Sequence, residues 1–194
     1  MSQFFAGLDL GQATDYTALT IAEKIRDEET REASYHFRHI ERMKLGTSYP
    51  QVVAHVKDVL DRKPLKGQTT LALDYTGCGR PVADMFRPAP FPLYAISIHG
   101  GNTVTRDGLF VSVPKRDLVA VVQVLLQSGR LKIAEQLSHT ELLISELQNF
   151  RVKIDPVTSH DSYAAWREQA HDDLVLAAAL ACWTGENVRS AGAF

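Results

Sequence analysis

The stretch Phe4–Thr20, FFAGLDLGQATDYTALT, decides how the rest of the chain is read. Phe4 to Leu10 is apolar enough for a central strand covered on both faces, and Gly11 ends it, so Asp9 stands at the strand's end. Tyr16 to Ile25 is rich in Thr, Leu, Ile and Ala and reads as a second strand, folding back as a hairpin across the turn that carries Asp15. Ala33 to Met43 places Tyr35, Phe37, Ile40 and Met43 among charges, the pattern of a third strand with one solvated face. Three antiparallel strands therefore precede the first helix.

Two other segments repeat the acidic theme. Thr69 to Leu73 is a compact apolar strand that delivers Asp74 into the turn DYTGCGRP, where Gly77 and Gly79 permit tight backbone geometry. Near the end, HDDLVLAAALACW opens an apolar helix with His171, Asp172 and Asp173, and its hydrophobicity nearly all round predicts burial. Each acid alone suits a bland role: turn formation for Asp15 and Asp74, N-capping and the positive end of a helix dipole for Asp172 and Asp173. Together they suggest more. In α/β sheets, sites gather at the carboxyl ends of strands. Several ionised carboxylates brought together there need a compensating cation.

The intervening chain reads as alternating helix and strand. An amphipathic helix from Pro50 to before Pro64 carries Val52, Val56, Val59 and Leu60 on one face. A short helix from Arg80 to Phe86 and a strand from Leu93 to Ile98 complete a βαβ unit. His99 to Ser112, with Gly100, Gly101 and Gly108, reads as a loop or irregular hairpin. Pro114 opens a helix with Leu118, Val121, Val122, Leu125 and Leu126 on one face and Gly129 as its stop, and Leu131 to Ile133 is a minimal strand. Ser138 and Glu141 have the spacing of a capping box, opening a helix that buries Ile144, Leu147 and Phe150. Phe150 to Ser162 reads as a loop or hairpin carrying Arg151 and Lys153.

Composition narrows the function classes. The 194 residues suit one domain, 45% of them hydrophobic and 23% charged. No apolar run is long enough to cross a bilayer, and MSQFFAGLD lacks the basic start of a secretory signal. Cys78 and Cys182 lie far apart and form no C-x-x-C pair, which fits a reducing cytosol. A net charge of −2, from 21 Lys plus Arg against 23 Asp plus Glu, confines any nucleic-acid surface to a local patch. The motifs of P-loop ATPases, zincins and serine esterases are absent. Carboxylate oxygens select hard ions such as magnesium or manganese, and two such ions about 4 Å apart support phosphodiester hydrolysis with no nucleophilic side chain. In that chemistry His171 is placed to assist proton transfer and Asp15 to add a ligand or orient water.

The pieces GLDLGQATDYTAL, LALDYTGCGRPVADMF, VPKRDLVAVVQVLLQSGRLKIA, LLISELQNF and HDDLVLAAALA, in this order, resemble the ribonuclease H-like fold. More narrowly, they resemble the C-terminal nuclease domain of the tailed-bacteriophage large terminase subunit, over most of the chain from Ala6 to about Trp183. The resemblance implies an α/β fold with a central mixed sheet, three antiparallel strands followed by parallel ones, flanked by helices. It implies a single nuclease domain over 1–194; the small and polar residues of about 186–194 read as a frayed tail, and the sequence departs from the family in showing no ATPase domain before the first nuclease strand. It also implies a metal-dependent endonuclease that cleaves double-stranded DNA concatemers during genome packaging, with Mg2+ or Mn2+ as cofactor. Asp9, Asp74 and Asp173 are the implied catalytic metal ligands. Asp172 is the alternative third ligand, and Asp15 and His171 are auxiliary. Partners would be an ATPase motor domain, the small terminase subunit and the portal, in the bacterial host cytoplasm.

Arg80, Lys115, Arg151 and Lys153, placed near expected loops, are the candidate DNA contacts. Three other readings are compatible with parts of the pattern. A Holliday-junction resolvase-like nuclease shares the fold. A non-catalytic DNA-binding packaging module would use it without chemistry. GLDLGQATDYTAL alone also resembles the first phosphate loop of actin-like and sugar-kinase ATPases, whose duplicated lobes need a longer chain.

Overall fold

In a computed structural model the described residues are 3–11, 15–77, 80–152 and 172–188, with backbone alone at 150–152. Strands β1 (Gln3–Asp9), β2 (Ala18–Arg26) and β3 (Ala33–Arg42) form the antiparallel meander expected from the sequence. β4 (Thr69–Asp74) lies parallel to β1 on its other side, and β5 (Leu93–His99) lies parallel to β4. With β6 (Thr105–Asp107), β7 (Phe110–Pro114) and β8 (Leu131–Ile133) the sheet has eight strands in the order β6-β7-β5-β4-β1-β2-β3-β8.

The alternation of side chains along β1 divides the core. Phe4, Ala6 and Leu8 face a cluster completed by α1 (Tyr49–Leu60) and α2 (Arg80–Phe86). Phe5 joins the cluster on the other face, under α3 (Lys115–Gln127), α4 (Thr140–Val152) and α5 (Asp173–Asn187). Helix α1 presents a valine stripe, Val52, Val56 and Val59, and Ser48 at its N-cap donates its backbone N–H to Gln51 Oε1 at 3.1 Å. Helix α5 has no such stripe. It packs on β1, β2, β3 and β4 below and on α3 and α4 above, so it is apolar around most of its circumference.

Of the two readings of 99–112, the hairpin is the one observed, and three other expectations need correction. The glycine-rich segment after His99 is an ordered hairpin, with Gly108 at its tip in the left-handed region (φ 59°). Its second arm, β7, inserts parallel to β5 and buries Val111 and Val113. Ser138 does not open α4: the helix starts at Thr140, and His139, at φ 62°, turns the chain between them. Ile144 lies on the exposed side of α4, and Leu143 and Leu147 are the buried residues. Helix α4 also continues through Val152, where a loop or hairpin was expected from Phe150. The rest of that segment, with Lys153, lies outside the described residues, as do His171 and Cys78.

Candidate active site

One row of side chains across the sheet organises the site. Asp9 pairs with Ala18, and Ala18 pairs with Arg42, while the parallel register Leu8 with Leu73 brings Asp74 beside Asp9. The row therefore runs Asp74, Asp9, Ala18, Arg42 over four adjacent strands. Strand alternation turns Asp9 away from the Leu8 side and toward α5. The small Ala18 leaves only a methyl group between Asp9 and Arg42.

Helix α5 supplies the next acid through an unusually close approach. A Cβ added to Gly7 would lie 1.9 Å from the Ala177 carbonyl oxygen and 2.8 Å from the Ala181 backbone nitrogen, so only glycine lets the helix backbone rest on β1. Asp173, Ala177 and Ala181 share that helix face at i, i+4 spacing. Four helical residues rise about 6 Å, close to the roughly 6.7 Å of two strand residues. The distance from Ala177 back to Asp173 along the helix thus matches that from Gly7 forward to Asp9 along the strand. The helix sets Asp173 over the end of β1 as a direct consequence of the glycine contact.

Asp9 and Asp173 are buried, with 9% and 6% of their surfaces exposed, and Asp74 is half-buried. Burial holds the Asp9 carboxyl well above the ordinary aspartate range, and the negative charges of Asp74, Asp173, Asp172 and Asp15 push it further the same way. Asp15 is exposed in the turn. That turn is closed by the Gly11 N–H donating to Thr17 Oγ1 at 3.1 Å. Asp74 Oδ1 accepts the backbone N–H of Thr76 at 2.8 Å and its hydroxyl, and Thr76 Oγ1 in turn accepts the Ile98 N–H at 2.8 Å. This chain of bonds ties the end of β4 to β5.

Two residues that sequence reasoning missed complete the arrangement. Arg42 Nη2 donates to Asp173 Oδ2 at 2.7 Å, lies 3.6 Å from Glu146 Oε1, and its guanidinium sits 4.1 Å from the centre of the Tyr16 ring. Glu146 Oε2 accepts the backbone N–H groups of Leu174 and Val175, at 3.1 and 3.3 Å, in the first turn of α5. A neighbouring helix thus provides the carboxylate that an N-terminal turn favours. Burial raises the Glu146 carboxyl to about 7, against the opposing pull of Arg42. The inward alternation of Ile40 and Arg42 on β3 was a usable sequence signal. Nothing local marks Glu146, whose partners lie 28 and 29 residues away.

The donor chemistry fits a hard divalent cation. Every converging acid is a carboxylate, and Asp9 is strained electrostatically by its neighbours. Among the described residues, however, no group of three or more His, Cys, Asp or Glu is already arranged to hold a metal ion.

Of the candidate DNA contacts, Arg80 is exposed at the start of α2, with its guanidinium 4.6 Å from the centre of the Phe110 ring. Tyr75 meets the same ring edge-on at 5.5 Å. Lys115 is half-buried at the start of α3. The side chain of Arg151 lies outside the described residues.

No family model matches the sequence, and no curated protein matches it. Solved structures do. The large terminase nuclease from thermophilic phage G20c superposes with a TM-score of 0.55 at 18% identity, over 93% of this chain and 81% of that one. The large terminase of a second thermophilic bacteriophage gives 0.58 at 10% identity, over 94% of this chain and 39% of its own length. A Thermus thermophilus RuvC structure gives 0.47 at 14% identity, over 94% of this chain and 93% of that one. The mixed sheet, its three-stranded antiparallel start and its flanking helices are thus those of a ribonuclease H-like fold, and the chain resembles the nuclease of phage large terminases in architecture.

Proposed function

We propose that this chain is a divalent-metal-dependent endonuclease that hydrolyses double-stranded DNA, with Asp9, Asp74 and Asp173 as metal ligands. The observation that carries the reading is the side-by-side placement of Asp9 and Asp74 at the carboxyl ends of β1 and β4 with Asp173 of α5 acting on the same carboxyl, which leaves Asp9 with a strong demand for a positive partner. Magnesium or manganese ions, two in this reading, would activate water and stabilise the leaving oxygen. The protein's own part is orientation. β1 and β4 fix two carboxylates side by side, and α5 lowers the third onto them. Asp172, at the N-cap of α5, and Asp15, in the turn after β1, add negative charge within reach of Asp9. His171 is the proposed proton carrier.

The terminase-like architecture supports a place in phage genome packaging. An ATPase motor domain, the small terminase subunit and the portal are the partners in this proposal. The chain spans about two fifths of the longer of the two phage terminases it matches, so the activity of such a whole assembly is part of the proposal too.

Supercoiled plasmid incubated with the protein tests the reading: manganese or magnesium supports conversion to nicked and linear forms, and a chelator stops it. An equal rate in the chelator would remove the metal from the mechanism. DNA contact in this reading is made to the phosphate backbone, so it weakens as salt rises. Arg80→Ala is expected to weaken duplex binding on all sequences alike and to lower the slope of log affinity against log salt by about 1. An unchanged slope would place Arg80 outside the DNA path and leave it a support for Phe110.

A further inference from the structure

We propose that Arg42 and Glu146 are positioning residues that hold the first turn of α5 so that the Asp173 carboxylate is presented to Asp9. The proposal rests on the nuclease reading for its purpose, and on geometry alone for its mechanism.

Arg42 joins four parts of the chain that are distant in sequence. It stands on β3, bonds Asp173 on α5, faces Glu146 on α4, and lies against Tyr16 in the segment between β1 and β2. Glu146 reaches the same helix turn from the other side, through the N–H groups of Leu174 and Val175. Asp173 is thus fixed twice, by its side chain through Arg42 and by the backbone of the two residues after it through Glu146. The Asp173 oxygen that Arg42 engages is Oδ2. A carboxylate anchored through one oxygen has its plane and its second oxygen fixed in direction, as a partner behind a metal ligand does.

Stability alone accounts poorly for this cluster. Side-chain exposures of 12% for Arg42, 6% for Glu146 and 8% for Asp173 place charges in a largely dry environment. Buried ion pairs of this kind are often no more stabilising than packed apolar residues. Its hydrogen bonding is also incomplete, since Arg42 Nε and Glu146 Oε1 are buried and have no hydrogen-bond partner among the described residues. An arrangement that tolerates such desolvated atoms is costly as packing. As a device for placing Asp173 it is effective, because the bonds that are made converge on one helix turn.

The test uses Arg42→Met, Glu146→Ala and Glu146→Gln with two readouts. The first is backbone amide hydrogen exchange along α5 in metal-free protein. In Arg42→Met and Glu146→Ala, the Leu174–Leu176 amides should exchange at least about tenfold faster, with Leu180–Trp183 little changed, because only the first turn is released. Glu146→Gln keeps an amide oxygen that accepts the same two N–H groups, and should keep the protection. Uniform acceleration along the helix, or none, would overturn the proposal in favour of a general packing role.

The second readout is manganese affinity, followed by titration of the free-ion resonance signal. Arg42→Met and Glu146→Ala should bind about 10- to 100-fold more weakly, and Glu146→Gln close to wild type. Unchanged or tighter binding in Arg42→Met would overturn the proposal, because an arginine that merely competes with the cation would give that result. Wild-type protein that binds no manganese would instead overturn the nuclease reading, and the exchange data would then decide the positioning role alone. Should Arg42→Met fail to fold, the two Glu146 variants carry both readouts.

Discussion

Gly7→Ala is expected to lower the melting temperature by roughly 10 °C, the equivalent of about 3 kcal/mol or more in a chain of this size. The added methyl group would stand 1.9 Å from a backbone carbonyl oxygen of Ala177, a separation that must be relieved by moving α5 or β1. Neither moves cheaply. Helix α5 is held on four strands and two helices, and β1 is paired on both sides. Since the obstructing atom belongs to the main chain, Ala177→Gly would not rescue the variant. Circular dichroism melting measures the effect. A shift of less than about 2 °C would mean that helix and strand are farther apart than the Gly7 contact implies, and would loosen the argument that places Asp173 over Asp9.

The second large effect has opposite signs for stability and activity. Asp9→Asn is expected to abolish cleavage while raising the metal-free melting temperature at neutral pH, on the order of 1 kcal/mol or roughly 3 °C. The Asp9 carboxyl is held well above its unfolded value by burial and by the surrounding acids. Between those two values the folded state binds more protons than the unfolded state, so the wild type loses stability as pH rises from about 4 upward. Asparagine carries no such group, and the gap between variant and wild type should widen over the same window. Saturating manganese should reverse the order: a ligand at about 100 times its Kd stabilises by about 2.7 kcal/mol, and only the wild type would have the full ligand set. An Asp9→Asn protein less stable than wild type at neutral pH without metal would argue that Asp9 is held by favourable bonds, not strained by its neighbours.

The parts of this arrangement legible in the sequence are those set by local pattern. The apolar run ending in Gly11 places Asp9 at a strand end, and the shorter run before Gly77 does the same for Asp74. The nearly all-apolar stretch after Asp173 announces a buried helix, which α5 is. The segment after His99 is less decisive, because Gly100, Gly101 and Gly108 fit a loop as well as the hairpin that forms. The alternation of Val111 and Val113 is the counter-signal, in a strand of only five residues.

The Ser138–Glu141 spacing misleads for a different reason. A capping pattern needs an extended residue leading straight into the helix, and His139 turns the chain by adopting a left-handed conformation. Arg42 and Glu146 are illegible as members of the site because their meaning comes from tertiary contact. The Arg42 to Asp173 bond spans 131 residues, and no local periodicity encodes it. Gly7 lies between, since a glycine in a strand signals a close approach without naming what approaches.

The most direct measurement is plasmid cleavage in manganese by Asp74→Ala beside the wild type, with melting curves run on both. Asp74 lies at the end of β4 next to Asp9, and its loss removes a proposed ligand at a half-buried position. The account predicts that cleavage falls by at least about 100-fold while the melting transition remains cooperative. Cleavage at the wild-type rate by folded Asp74→Ala protein would contradict it.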